Sequence, residues 1–388
     1  MPEAGRSGGF GLYLHWPFCQ AKCPYCDFNS HVSGRIDHRR WQAALISEID
    51  RHGRETSGRI LNSVFFGGGT PGLMPPDLVA ALLDRIRRTW QVANDLEVTL
   101  EANPTSVESS LFQGFRDAGV NRISIGIQAL DDAALRALGR LHDTARARAA
   151  LETARAVFSR VSFDLIYARQ HQSLSGWKTE LREALEMTDG HLSLYQLTIE
   201  PGTAFGRLHA RGALPGLPDE DLAADMYLLA QEMCEAAGLP AYEISNHARP
   251  GDESRHNMIY WTAGDYVGIG PGAHGRLSLG GKRLATEALS QPERWLSQVE
   301  ALGHGEASRR SLSRNEQLAE YLMMGLRLRA GLDETRLSSL CVDDDLFNKI
   351  NTMKEAGLLE RCSGKLRATS RGRLLLDALL RELLPVEG

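Results

Sequence analysis

The densest chemistry in the chain lies in "WPFCQAKCPYCDFNSH", which sets Cys19, Cys23 and Cys26 at Cys-x-x-x-Cys-x-x-Cys spacing in one short loop. Three thiolates this close are soft ligands, suited to iron in a cluster or to zinc. The missing fourth thiolate separates the two uses. A [4Fe–4S] cluster on three cysteines keeps one iron open to an outside ligand, whereas structural zinc takes four closed positions. Here His15 or His31 is the nearest candidate to close a zinc site. The other cysteines, Cys234, Cys341 and Cys362, are scattered. Six in 388 residues are too sparse for a disulfide scaffold, and a reducing compartment leaves them as thiols.

Further reactive types recur where apolar runs end. "VFFGGGTPG" places Gly67, Gly68 and Gly69 straight after a hydrophobic run, where a backbone without side chains can approach a ligand. Taken alone, such a triplet also reads as a turn. Glu101 in "VTLEANP", Gln128 in "ISIGIQ" and Asp164 in "SFDLIY" occupy equivalent positions. Parallel barrel strands share one mouth at their carboxyl ends, so these side chains are expected to converge on one ligand. Each also suits a helix cap. Arg140 in "LGRLH" offers a fork for a carboxylate or a solvated surface charge.

The elements that must position these groups are legible as alternating short apolar runs and amphipathic stretches from Leu12 to about Leu197. That is the pattern of βα units around a parallel sheet. Strands are predicted at Leu12–Leu14, Ser63–Phe66, Glu97–Glu101, Arg122–Ile127, Val161–Ile166 and Leu192–Leu197. Six units suit an open, partial (β/α)6 barrel rather than a closed eight-unit one. A helix is expected around Asp221–Ala237, followed by the Gly-rich, aromatic "HNMIYWTAGDYVGIGPGAHG", which either extends the sheet or forms a lid. The barrel and its extension are assigned to 1–284. Residues 285–388 are assigned to a small, mostly helical domain whose helix, helix, "LLERCSGKLRATSRG", helix order is winged-helix-like.

A 43% hydrophobic content is ample for a large core. The net charge of -5 and the pI near 6.2 give no overall pull toward nucleic acid or an anionic membrane. Met1–Gly11 lacks the basic and apolar regions of a signal peptide, and no apolar run approaches the roughly 20 residues of a membrane span. A cytoplasmic location is the expectation, without nucleic-acid binding.

The cysteine spacing, with Tyr25 as the aromatic before the last cysteine, resembles the signature of the radical S-adenosylmethionine (SAM) superfamily. Tyr13, "GGGTP", "LEANP", "SIGIQ", "LGRLH" and "DLIY" resemble its branch of anaerobic coproporphyrinogen III oxidases and the related HemW family of haem chaperones. The resemblance runs from about Gly11 into the C-terminal domain. It implies a [4Fe–4S] cluster on Cys19, Cys23 and Cys26 whose open iron chelates SAM, with Tyr13, Tyr25, Gly68, Gly69, Thr70, Glu101, Gln128, Arg140 and Asp164 in cofactor-binding positions. It also implies an electron donor, and it leaves a homodimer open.

Three features point to the chaperone side of that branch. The oxidases carry a further cysteine where this chain has Phe28, and a longer extension before the cluster than the 18 residues preceding Cys19. "HNMIYW" from His256 to Trp261 resembles a HemW motif, which implies haem as ligand, His256 as a candidate haem-binding residue, and acceptor haemoproteins as partners, respiratory ones among them. The alternative is oxidative decarboxylation of coproporphyrinogen III, and radical-SAM cleavage is compatible with either. One departure stands out: the family continues after Asp164 with a Pro-Gly turn, where this chain has "ARQHQS" with Gln170 and His171.

Overall fold

The structure, a computed structural model, describes residues 8–341 and 344–384. The leaderless reading of Met1–Gly11 therefore falls largely outside the described residues. Six parallel strands stand side by side in chain order: β1 (Phe10–Trp16), β2 (Ile60–Gly68), β3 (Gln91–Ala102), β4 (Arg122–Gln128), β5 (Arg160–Tyr167) and β6 (His191–Gln196). The short β7 (Asn246–Ala248) closes the β6 edge antiparallel. On the other edge β8 (Asp265–Ile269) lies parallel to β1. β9 (His274–Leu279), β10 (Lys282–Ala288) and β11 (Glu306–Ser311) follow antiparallel, completing an eleven-stranded open sheet. The Gly-rich aromatic segment thus extends the sheet rather than forming a lid.

The outer face of the six strands buries Leu12, Leu14, Val64, Phe66, Leu100, Ile123, Ile125, Phe163 and Leu165 under helices such as His38–Glu55 and Pro76–Thr89. Leu78, Leu82, Leu83 and Ile86, at helical spacing, form the buried stripe of the second of these. The inner face is polar instead. Successive strands there contribute Ser63, Glu97, Thr99, Arg122, Ser162, His191 and Ser193, all buried. In register, Glu101 faces Ser124, Ser124 faces Ser162, and Asp164 faces Ser193. Several of these pair: Arg122 donates to Ser162 Oγ at 3.1 Å, and Arg160 meets Glu97 at 2.5 Å, while Thr99 Oγ1 and His191 Nδ1 have no partner among the described residues.

After β11 a second core forms around Leu318, Leu322, Leu326, Leu337, Ile350, Leu366 and Leu380. Helices Arg314–Gly325, Glu334–Leu340 and Asp344–Glu355 accompany a three-stranded sheet of Leu332–Asp333, Lys365–Ala368 and Leu359–Cys362, the winged-helix-like order expected. The division expected at 284/285 cuts through β10, and the sheet runs on to Ser311. β11 reads "EASRRS" and is exposed along most of its length; an edge strand with no apolar face leaves no period-2 signal. Arg336 ties the two parts together by donating to the carbonyls of Thr262 and Ala263 at 3.0 Å each.

Candidate functional site

The cysteine loop leaves β1 and is clipped back by a two-residue pairing of Phe18–Cys19 with His31–Val32. Its root is an aromatic stack: Phe18 packs edge-on against Trp16 and Trp41, and Trp41 lies flat on Trp295 at 5.4 Å. That stack holds the loop over the carboxyl ends of the strands. Cys19, Cys23 and Cys26 are all half-buried. Burial pushes the thiols of Cys19 and Cys26 up, toward the protonated form when no cation is present. No three His, Cys, Asp or Glu side chains among the described residues converge as for a single metal ion. A four-iron cube asks for less convergence, because each thiolate binds its own iron. His15 is not free to close a zinc site: one ring nitrogen pairs with Tyr13 Oη at 3.0 Å and the other with Asn29 O at 2.9 Å.

Two donors aim at cysteine sulfurs. The Thr70 hydroxyl donates to Cys19 Sγ at 3.3 Å, and Arg140 Nη1 donates to Cys23 Sγ at 3.4 Å. Arg140 thus faces the cysteine loop, and its buried Nε has no hydrogen-bond partner among the described residues. Tyr25 sits between that arginine and Phe205, and its phenol is pushed up by burial.

The glycines are fixed by crowding. Gly68 has φ +108°, and a Cβ there would lie 2.5 Å from the His15 ring; a Cβ on Gly69 would lie 2.8 Å from the Phe18 backbone. β2 thus passes under the cysteine loop only as glycine. Gly69 and Thr70 donate their N–H groups to Trp16 O and Phe18 O. Gly68 hydrogen-bonds the Glu101 carboxylate.

Glu101 and Asp164 lie close enough for their charges to interact, and Gln128 ends the strand between theirs, with its amide beside Gly126. Burial, with the Asp164 charge adding to it, pushes Glu101 up to about 8. Burial likewise raises Asp164 to about 6, against hydrogen bonds from Ser193 and Ser124 and the nearby charges of Arg122 and Arg140. Gln128 holds φ +76°, and its buried Oε1 finds no partner among the described residues. The Gln128 amide oxygen is therefore free to accept a hydrogen bond. Two carboxyls, an orphaned amide oxygen and a glycine-lined edge beside three thiols fit a cationic, hydroxyl-bearing ligand and a cluster.

His256 lies elsewhere. It belongs to the helix Arg255–Trp261 at the opposite end of the barrel, with Nδ1 on Ser63 Oγ at 2.8 Å and Nε2 on Tyr260 Oη at 2.7 Å. Its ring stacks on Phe65 and Tyr13, it is 1% exposed, and burial lowers its pKa to about 3. Both ring nitrogens of His256, the residue that the resemblance implies for haem, are thus engaged by side chains inside the barrel. "HNMIYW" forms the barrel floor. The Gln170–His171 departure is accommodated by left-handed Ala168 (φ +56°) and His171 (φ +59°). Gln170 and His171 dock on the carbonyls of Pro215 and Gly216.

Sequence reasoning passed over Asn103 and Glu108. Asn103 connects Thr70 to Arg140, and Glu108 accepts the Asn103 N–H at 2.6 Å. The signal for Glu108 was present in Thr105-x-x-Glu108, a capping-box pattern whose Thr105 accepts the Glu108 N–H.

A family model of the radical SAM superfamily matches residues 13–179, and one of the HemN C-terminal domain matches residues 312–375. The chain is 41% identical over 384 residues to the mitochondrial radical S-adenosyl methionine domain-containing protein 1 of Bos taurus, covering 96% of this chain and 87% of that protein. It is 36% identical over 375 residues to the heme chaperone HemW of Escherichia coli, covering 95% and 96%. The chain belongs to the HemW family of radical SAM proteins. A HemW of Mycobacterium tuberculosis, at 36% identity, covers 97% and 95% of the two chains. The solved coproporphyrinogen III oxidase HemN of Escherichia coli superposes with a TM-score of 0.81 over 98% of this chain at 22% identity, which shows a shared fold. Membership in the radical SAM superfamily implies a [4Fe–4S] cluster and SAM. No helix among the described residues is long and apolar enough to cross a membrane.

Proposed function

We propose that this protein is a haem chaperone: it binds haem and hands it to acceptor haemoproteins, with a [4Fe–4S] cluster on Cys19, Cys23 and Cys26 and SAM at the barrel mouth. The observation that carries this reading is the near-full-length match to proteins named heme chaperone HemW. Supporting it, the position after Asp27 that carries a cysteine in the oxidases is Phe28, whose ring is 60% exposed beside the cysteine loop. An apolar, accessible ring there suits contact with a porphyrin face better than a thiol would.

In this reading the bound cluster and SAM supply one-electron reductive chemistry, and the chain's own residues hold and shield them. Thr70 and Arg140 donate to the thiolates. Glu101 and Asp164 present carboxyls to a cationic sulfonium or ammonium, Gln128 offers its free amide oxygen, and the Gly68–Gly69 edge lets the ligand approach the backbone. Tyr13 closes the interior below and Tyr25 covers the loop. An electron donor, acceptor haemoproteins, a cytoplasmic location and a homodimer belong to the same proposal.

The test is transfer. Protein loaded with haemin is mixed with an apo-haemoprotein and separated by gel filtration. Haem moving to the acceptor, with no anaerobic conversion of coproporphyrinogen III, is the expected result. Conversion to protoporphyrinogen would replace this reading with the oxidase.

A further inference from the structure

Donors to the two cysteine sulfurs come from different elements, Thr70 after β2 and Arg140 before the helix Thr144–Val157. One side chain joins them. Asn103 Nδ2 donates to Thr70 Oγ1 at 3.2 Å, and Asn103 Oδ1 accepts from Arg140 Nη2. The amide's orientation is settled by its neighbours, since a guanidinium can only donate and must face Oδ1. The Thr70 oxygen, having accepted from Nδ2, points its single proton at Cys19. The guanidinium, held at Nη2 by Asn103 and by Gly126 O at 2.7 Å, turns Nη1 to Cys23. Asn103 is itself fixed through its backbone: Glu108 accepts its N–H at 2.6 Å and the Thr105 hydroxyl at 3.1 Å, and Glu108 is 1% exposed.

We infer that Asn103 is a positioning residue that aims the Thr70 hydroxyl and the Arg140 guanidinium at the thiolates of Cys19 and Cys23 and so raises the reduction potential of the cluster they hold. Hydrogen bonds to ligand sulfurs stabilise the reduced, more negative cluster, and supporting partners outside the ligand set are a recognised lever on potential. Asn103 touches neither sulfur and acts through its two neighbours. The inference rests on the radical SAM reading of the cysteine loop.

The experiment is an EPR-monitored redox titration of anaerobically reconstituted full-length protein, without SAM or haem. Asn103→Leu keeps the volume and adds no charge; its midpoint is expected to fall, a tenfold change in the one-electron equilibrium being 59 mV. Thr70→Val removes one donor at nearly constant shape and should lower the midpoint by less. The double variant should shift by less than the sum of the two, because part of the Asn103 effect passes through Thr70. An unchanged midpoint in Asn103→Leu at full iron and sulfide content overturns the inference, as does strict additivity. Should Asn103→Leu fail to hold a cluster, the smaller Asn103→Ala is titrated in its place, and a wild-type midpoint there overturns the inference too. A wild-type protein that retains no iron and shows no reduced-cluster signal would instead defeat the radical SAM reading itself.

Discussion

Replacing Glu101 by glutamine should make the ligand-free protein more stable in alkali and less responsive to SAM. Burial beside Asp164 pushes the Glu101 carboxyl from its ordinary 4.5 up to about 8. A raised carboxyl is held neutral in the fold, so its contribution is fully present below the unfolded value and is lost as pH rises through the folded one. At 1.36 kcal/mol per pH unit, ionised Glu101 costs the ligand-free fold on the order of 5 kcal/mol above pH 8. Glutamine keeps an oxygen for the Gly68 N–H and never ionises. At pH 5 the variant and wild type, both cluster-free, should melt within a degree or two of each other, whereas at pH 8.5 the variant should melt higher by on the order of 5–10 °C. A cationic ligand reverses the order, because it draws the proton off Glu101 and pairs with the carboxylate. SAM added to the reconstituted proteins at pH 7.5 should raise the wild-type melting temperature and leave the variant's nearly unmoved. A difference between variant and wild type that stays constant from pH 5 to 8.5 would refute the reasoning.

Other consequences are direct. Cys19→Ala, Cys23→Ala and Cys26→Ala should each abolish cluster retention, read as iron and sulfide content, while Cys234→Ala, Cys341→Ala and Cys362→Ala should not. Gly68→Ala forces a side chain onto φ +108° and against the His15 ring, and should cost about 1–3 kcal/mol together with cluster occupancy, measured by urea unfolding and absorbance. His256→Ala removes two buried hydrogen bonds and a ring stack from the barrel floor. It should lower stability by about 2–4 kcal/mol while haem stoichiometry at low temperature stays at the wild-type value; loss of haem from a folded variant would assign the ligand role to His256.

The six barrel strands and their helices were legible because the outer strand faces and helix stripes are apolar at the periods those structures impose. The neighbouring carboxyls of Glu101 and Asp164 were legible for a geometric reason, since parallel strands carry their ends to one side of the sheet. Three things were not. β11 carries no apolar face, so the sheet's true extent was hidden. The resemblance implies His256 as a haem-binding residue, but its burial against Phe65 and Tyr13 was hidden, because it depends on a tertiary contact between a seven-residue helix and β2 that no local pattern encodes. Asn103 lay in the quoted "LEANP" without a role, because what it does depends on Thr70 and Arg140, distant in sequence and adjacent only once β2, β3 and β4 are paired.

The central claim, that the protein carries haem rather than oxidising a porphyrinogen, is met most directly by titrating haemin into the anaerobically reconstituted protein and reading absorbance after gel filtration. The account predicts saturable retention near one equivalent. No retained haem, together with anaerobic conversion of coproporphyrinogen III, would contradict it.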